Sequence, residues 1–179
     1  IVVDPAMADH GRLYKPFAPD FPQYMKKVCQ RADVLVPNLT EACLLTDTPY
    51  REDPDEAFVR GLLRKLSALA PRVVLTGVSF DDEHLGAMSY DRDTGRYFTY
   101  FNEKIHATFH GTGDIFTATV LGGMMQGRTL EEAVRLAVDF TLECIRCTCA
   151  DPAASWYGVE FEKALPWLAE QTGKAGSPT

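Results

Sequence analysis

Three short apolar runs, Ile1-Val2-Val3, Val34-Leu35-Val36 and Val73-Val74-Leu75, constrain this chain more than anything else in it. A strand with one wet face alternates apolar with polar residues, whereas a strand covered on both faces reads as an unbroken apolar run. Segments with helical spacing separate the three. A Pro- and Gly-containing loop from His10 to Pro22 leads into a helix expected over Gln23 to Ala32. Pro37 ends the second run, and a short helix is expected over Thr40 to Leu45. Asp53-Pro54-Asp55-Glu56 carries the acid-plus-proline signature of a helix start. That helix reaches about Leu69, with Phe58, Leu62, Leu63, Leu66 and Leu69 on one face. Strand–helix alternation of this kind predicts an α/β fold, a mostly parallel central sheet with helices on both faces. The chain begins inside its first run and without Met, so an amino-terminal portion that supplies neighbouring strands is expected to precede it.

The remainder follows the same logic. Leu85 to Tyr90 and Arg96 to Phe101 alternate across Asp91-Arg92-Asp93-Thr94-Gly95, which predicts a hairpin. A glycine loop at Gly111 opens a helix reaching Gln126. Thr129-Leu130-Glu131-Glu132 has a capping-box pattern and starts a helix to about Thr148. A last helix is expected from Glu160 to Ala169. Residues 1–170 read as a single domain and 171–179 as a frayed tail.

Composition closes off several function classes. The net charge of -7 leaves no basic stripe for a nucleic acid. No apolar run approaches the roughly 18 residues of a membrane span, and no signal-peptide pattern is present. Five cysteines, an odd number, suit a reducing compartment and a cytoplasmic location.

The chemistry concentrates at His110-Gly111-Thr112-Gly113-Asp114. Glycines let the backbone turn tightly and bring its N–H groups close to a ligand. The following helix points unpaired N–H groups and its positive dipole end back at that turn, which suits a phosphate. A carboxylate beside an anion site repels what the site attracts. Asp114 makes sense there if it takes a proton from a hydroxyl that attacks phosphorus. The structural alternative is an ordinary Gly-rich loop with an acid in the first helical turn.

Ligands of parallel sheets gather at the carboxyl ends of the strands. Three polar clusters fall there: Asp4, the Asn38/Glu41 pair, and Thr76-Gly77. The Gly111 loop is expected to close the same crevice. Asn38 and Glu41 also fit an N-cap with a first-turn acid, and Thr76-Gly77 fits plain turn chemistry. His10, His84, His106 and His110 lack ligand spacing. Cys144, Cys147 and Cys149 have no second pair to complete a zinc site and read as packing residues. Phe98, Tyr100 and Phe101 read as packing residues of the hairpin.

Taken in order, Asp4-Pro5-Ala6-Met7, Pro37-Asn38-Leu39-Thr40-Glu41-Ala42, Val73-Val74-Leu75-Thr76-Gly77 and Gly111-Thr112-Gly113-Asp114-Ile115-Phe116 resemble the ribokinase-like superfamily. Within it the chain is similar to the pyridoxal (pyridoxine, pyridoxamine) kinases, from residue 1 to about 170. The closing Trp156-Tyr157-Gly158-Val159-Glu160-Phe161-Glu162-Lys163-Ala164-Leu165-Pro166 resembles the end of bacterial vitamin B6 kinase homologues. The resemblance implies a Rossmann-type three-layer sandwich and ATP-dependent phosphorylation of a B6 vitamer's hydroxymethyl group. It matches Asp114 to the catalytic base, and Gly111, Thr112 and Gly113 to an anion hole. It matches Asn38 and Glu41 to an Asn-x-x-Glu motif that organises Mg²⁺ and the ATP phosphates, chiefly through water. Asp4 matches an acid near the same metal, Thr76 a phosphate-contacting hydroxyl, and Gly77 a point of close nucleotide approach. A homodimer is also implied. The vitamer-binding residues lie largely in an amino-terminal part that this sequence does not contain.

Hydroxymethylpyrimidine kinases look similar but typically carry Cys where this chain has Asp114, so they are the alternative within the class. A sugar kinase shares the glycine loop and fits the Asp-Pro-x-Met and Asn-x-x-Glu context less well. From a different class, the chain fits a non-catalytic vitamer-binding protein that keeps the fold.

Overall fold

A computed structural model of the chain describes residues 1–107, 109–154 and 157–173. It divides into two compact units, Ile1–Phe101 and Asn102–Thr179.

The first unit is built on the three apolar runs. Val2–Val3 (β1), Val34–Leu35 (β4) and Arg72–Val78 (β5) pair side by side and parallel, with Val2 opposite Val34 and Leu35 opposite Val73. His84–Asp91 (β6) joins β5 antiparallel, and Arg96–Glu103 (β7) follows it, completing the order β1-β4-β5-β6-β7. The expected hairpin is therefore present and extends the parallel strands. At Gly86 the two strands leave no room for a side chain: a Cβ there would stand 2.0 Å from the Tyr100 carbonyl oxygen. Only glycine fits against that backbone.

Helices Phe21–Cys29 (α1), Leu39–Leu45 (α2) and Glu56–Leu66 (α3) accompany these strands. Asp55 caps α3 by accepting from Phe58 N at 2.7 Å. Val59, Leu62, Leu63 and Leu66 are buried along its inner face. Val59 takes a place that the sequence pattern assigned to Phe58 and Leu69, which are only partly buried at the edge. These side chains share one core with Leu35, Val73, Leu75 and Met88. Burying a side chain of this size stabilises the fold by roughly 1.5–3 kcal/mol.

Two local differences from the sequence reading bear on the site. The loop after β1 is not irregular throughout, because Ala8–Asp9 (β2) and Arg12–Leu13 (β3) pair antiparallel as a small hairpin. The strand β5 runs on to Val78, so Thr76 and Gly77 lie inside it rather than past its end. Gly77 is the extra residue of a bulge, with Thr76 opposite Ala87 and Val78 opposite Gly86. Its φ of 68° is the left-handed conformation that favours glycine there.

The second unit holds Thr112–Met125 (α4), Leu130–Ala150 (α5), a 3-10 turn at Phe161–Ala164, and Leu165–Gly173 (α6). Thr129 and Glu132 form the expected capping box on α5. The helices α4 and α5 pack closely because Gly123 carries no side chain: a Cβ there would lie 3.1 Å from Ala133 Cβ. The last helix reaches Gly173, further than the sequence pattern indicated, and residues 174–179 of the expected tail lie outside the described residues. Among the described residues no helix is long and apolar enough to cross a membrane.

Candidate active site

The candidate residues fall into two groups, one in each unit. In the first, parallel pairing brings the three strand exits side by side. Beyond β4, Thr76 N donates to Pro37 O at 2.9 Å, and Asn38 bridges to Thr76 in parallel. Asp4 directly follows β1. Asp4, Asn38, Glu41 and Thr76-Gly77 thus gather at one end of the sheet, where ligands of such folds bind.

Asn38 and Glu41 have a definite local job. Asn38 is the N-cap of α2: its Oδ1 accepts from Glu41 N at 2.9 Å, while Glu41 Oε2 accepts from Asn38 N at 2.9 Å. This reciprocal pair satisfies two backbone N–H groups that helix geometry leaves unpaired. Both side chains also reach outwards. Glu41 Oε1 accepts from Met7 N at 3.0 Å and from Ala8 N at 3.5 Å, and Asn38 Nδ2 donates to Ala8 O at 2.8 Å. The structural reading of the pair is therefore realised, and the same bonds fix the chain that follows Asp4.

Glu41 is 2% exposed. Burial pushes its carboxyl up to about 7; three backbone N–H groups oppose that rise, and the charge of Asp4 adds to it. Two carboxylates close enough to feel one another suit a shared cation. Both Glu41 oxygens are engaged by backbone N–H groups, so a cation here would be reached through water. That fits Mg²⁺, which keeps several waters and uses only one or two carboxylates beside its phosphate ligands. No cluster of three or more metal-ligating side chains occurs among the described residues, so a dry, all-protein cage does not fit.

In the second unit, Gly111 is the N-cap of α4 with φ 86°, the left-handed conformation that favours glycine at this turn. The helix begins at Thr112, so its first N–H groups have no intrahelical partner and face whatever lies beyond the turn. Ile115 N closes the first turn on Gly111 O at 3.1 Å. Asp114 sits in that turn and is exposed. It stands on the rim of an apolar groove of about 670 Å³ lined by Ile115, Ala118, Phe140, Leu165 and Leu168. Asp114 thus presents an exposed carboxylate next to unpaired backbone N–H groups.

The four histidines are exposed, as expected of loop and surface residues. Of the three helix cysteines Cys144 is buried and half-buried Cys147 packs against the same cluster, as expected of packing residues, while Cys149 is exposed. The sequence reading missed Thr40 and the β2–β3 hairpin. Thr40 is buried, and its Oγ1 accepts from Gly11 N at 2.9 Å. The signal for the hairpin was Asp9-His10-Gly11, a polar residue pair followed by glycine between short apolar stretches.

Polar residues collected at the carboxyl ends of parallel strands stand where ligands of open α/β folds bind. The chain belongs to the phosphomethylpyrimidine kinase family, whose model matches residues 1–155. A pyridoxal kinase of Arabidopsis thaliana is 32% identical over 160 residues, 87% of this chain and 51% of that protein. The chain thus spans about half the length of the curated relatives it matches. A candidate phosphomethylpyrimidine kinase of Bacteroides thetaiotaomicron superposes with a TM-score of 0.87 at 32% identity, over 99% of this chain and 59% of that one. A second crystal form of that protein contains pyridoxal and is 34% identical over 93% of this chain and 59% of that one, with a TM-score of 0.86. Pyridoxal kinase of Lactobacillus plantarum gives 0.86 at 28% identity, over 97% of this chain and 62% of that one. The ribokinase-like α/β fold implied by the resemblance is borne out by these likenesses.

Proposed function

We propose that this chain is part of an ATP-dependent kinase that phosphorylates the hydroxymethyl group of pyridoxal, pyridoxine or pyridoxamine. The observation that carries the reading is the ordered set of strand-end residues, Asp4, Asn38, Glu41 and Thr76, in a chain similar to pyridoxal kinases across most of its length. Asp114 accepts the hydroxyl proton as the vitamer oxygen attacks the terminal phosphorus of ATP in line, and the bond from that phosphorus to the bridging oxygen breaks to release ADP. The N–H groups of Gly111, Thr112 and Gly113 stabilise the charge that builds on the transferring phosphoryl. Asn38 and Glu41, with Asp4, would hold Mg²⁺ and orient the phosphates; Thr76 would offer a hydroxyl to a phosphate, and Gly77 would admit the nucleotide closely. When bound, Mg²⁺ supplies charge neutralisation at the phosphate oxygens. The acting protein is a cytoplasmic homodimer in this reading; light scattering of the full-length protein tests the dimer.

The second reading is a hydroxymethylpyrimidine kinase, favoured by the description of the matching family. Asp114 in place of the cysteine typical of those enzymes weighs against it. The test is ATP consumption by the full-length protein with the three vitamers, hydroxymethylpyrimidine and several sugars, alongside Asp114→Asn. Losing a general base lowers turnover by about 10²- to 10⁴-fold. Turnover on a vitamer that collapses in the variant supports substrate and base together. Turnover on the pyrimidine alone moves the protein to the second reading. Vitamer binding with no turnover on any substrate makes it a non-catalytic vitamer-binding protein.

A further inference from the structure

The first turn of α2 touches the β2–β3 hairpin at both of its ends. At the base, Asn38 and Glu41 hold the backbone of Met7 and Ala8. At the tip, Gly11 N donates to Thr40 Oγ1 at 2.9 Å. Thr40 is 2% exposed, and a buried hydroxyl oxygen needs a partner. The ring of Tyr50 closes on the same point, since a Cβ at Gly11 would lie 2.9 Å from Tyr50 Cδ1.

A hairpin with two residues per strand does not hold itself together in water. Its two-residue turn, His10 at φ 48° and Gly11 at φ 75°, has the left-handed pair that matches the twist of the strands, so the turn joins them but does not anchor them to the sheet. Its base is held by the burial of Met7 and Ala8 in the core and by Tyr14 N, which donates to Met7 O at 2.9 Å; its tip is held by Thr40 and Tyr50. What hangs on that place is the exit from β1. Asp4 lies three residues before Met7, and Met7 and Ala8 present the N–H groups that Glu41 accepts. A hairpin that swung away would take those N–H groups with it and loosen Asp4 relative to Glu41.

We propose that Thr40 is a positioning residue: with Tyr50 it fastens the tip of the β2–β3 hairpin, and the fastened hairpin holds Asp4 in place beside Glu41. The clamp stands on geometry alone, and its kinetic consequence rests on the kinase reading above.

The experiment compares full-length wild type with Thr40→Val, Thr40→Ser and Tyr50→Leu by amide hydrogen exchange and by Mg²⁺-dependent ATP turnover. In Thr40→Val the Gly11 amide exchanges about three- to tenfold faster, the worth of one hydrogen bond. The Met7 and Ala8 amides, which Thr40 does not touch, speed up with it. The Mg²⁺ concentration for half-maximal turnover rises by about the same factor, while kcat at saturating Mg²⁺ stays within about twofold. Thr40→Ser, which keeps the hydroxyl, returns both readouts to wild type. A purely structural role lowers the melting temperature and leaves the Mg²⁺ dependence alone. The proposal is overturned if Gly11 exchange is unchanged, if Met7 and Ala8 stay protected while Gly11 opens, or if half-saturation by Mg²⁺ does not move. Should Thr40→Val not fold, Tyr50→Leu decides by the same readouts. If wild type turns over no substrate, the kinase reading falls by itself, and exchange at Met7 and Ala8 still decides the clamp.

Discussion

Glu41 carries two demands at once, and its titration exposes them. Its carboxyl lies at about 7 in the folded chain against an ordinary 4.5, raised first by burial. Between those values the folded chain therefore binds the proton more tightly than the unfolded one. The stability this group contributes is complete below about 4.5 and is lost as pH rises through about 7. Denaturant midpoints taken without Mg²⁺ across that window will fall with rising pH in wild type and fall less in Glu41→Gln. The variant starts lower by about 1–3 kcal/mol, because its amide nitrogen cannot accept from a backbone N–H, whereas either oxygen of the carboxyl group can. Equal slopes in both proteins would remove Glu41 as the source. The cysteines make a second residue-scale case. Burial pushes Cys144 up to about 12 and Cys29 up to about 11, so neither offers thiolate near neutrality. Iodoacetamide at about pH 8 will label the exposed Cys149 first and leave Cys29 and Cys144 until the chain unfolds, as peptide mass mapping will report.

At the scale of elements, the hairpin β6–β7 depends on one missing side chain. A Cβ at Gly86 would meet the Tyr100 carbonyl oxygen at 2.0 Å and Phe101 Cα at 2.7 Å, both backbone atoms that no rotamer change can move. Gly86→Ala will cost at least about 3 kcal/mol in chemical denaturation, the upper end for overpacking. The loss will be read locally as faster amide exchange across β6 and β7. A variant as stable as wild type would mean that the two strands can part at little cost. The strand β5 makes the complementary point. Its ladder continues through the bulge at Gly77 to Val78, and Thr76, inside the strand, stands beside Asn38, a placement that turn chemistry alone did not foretell.

For the whole molecule, the kinase reading makes a thermodynamic demand that needs no turnover. A ligand that binds only the folded state adds about 2.7 kcal/mol at a hundred times its dissociation constant. Mg²⁺ with a non-hydrolysable ATP analogue will raise the melting temperature of the full-length protein, and Asn38→Ala will reduce the shift. A melting curve indifferent to nucleotide would argue for the non-catalytic alternative. Much of this architecture was legible beforehand. The three apolar runs announced parallel strands, of which Val34-Leu35 and Val73-Val74-Leu75 are buried while Val2-Val3 is half-buried, and helix caps at Asn38, Asp55 and Thr129 were readable because their bonds reach only three residues along the chain. Ordered motifs likewise pointed to the family, since glycine, acid and hydroxyl at set places are chemical requirements written locally. What lay beyond reading were contacts whose partners are distant in sequence. Thr40 on Gly11, Glu41 on Met7 and Ala8, and Tyr50 against the hairpin tip join segments about thirty to forty residues apart, and each exists only once parallel pairing has set the strand exits side by side. The sequence by itself thus determined the strands, the helix starts and the residue types available for chemistry. The tertiary structure decided which of them meet, because burial and a hydrogen bond's short reach are properties of neighbours in space.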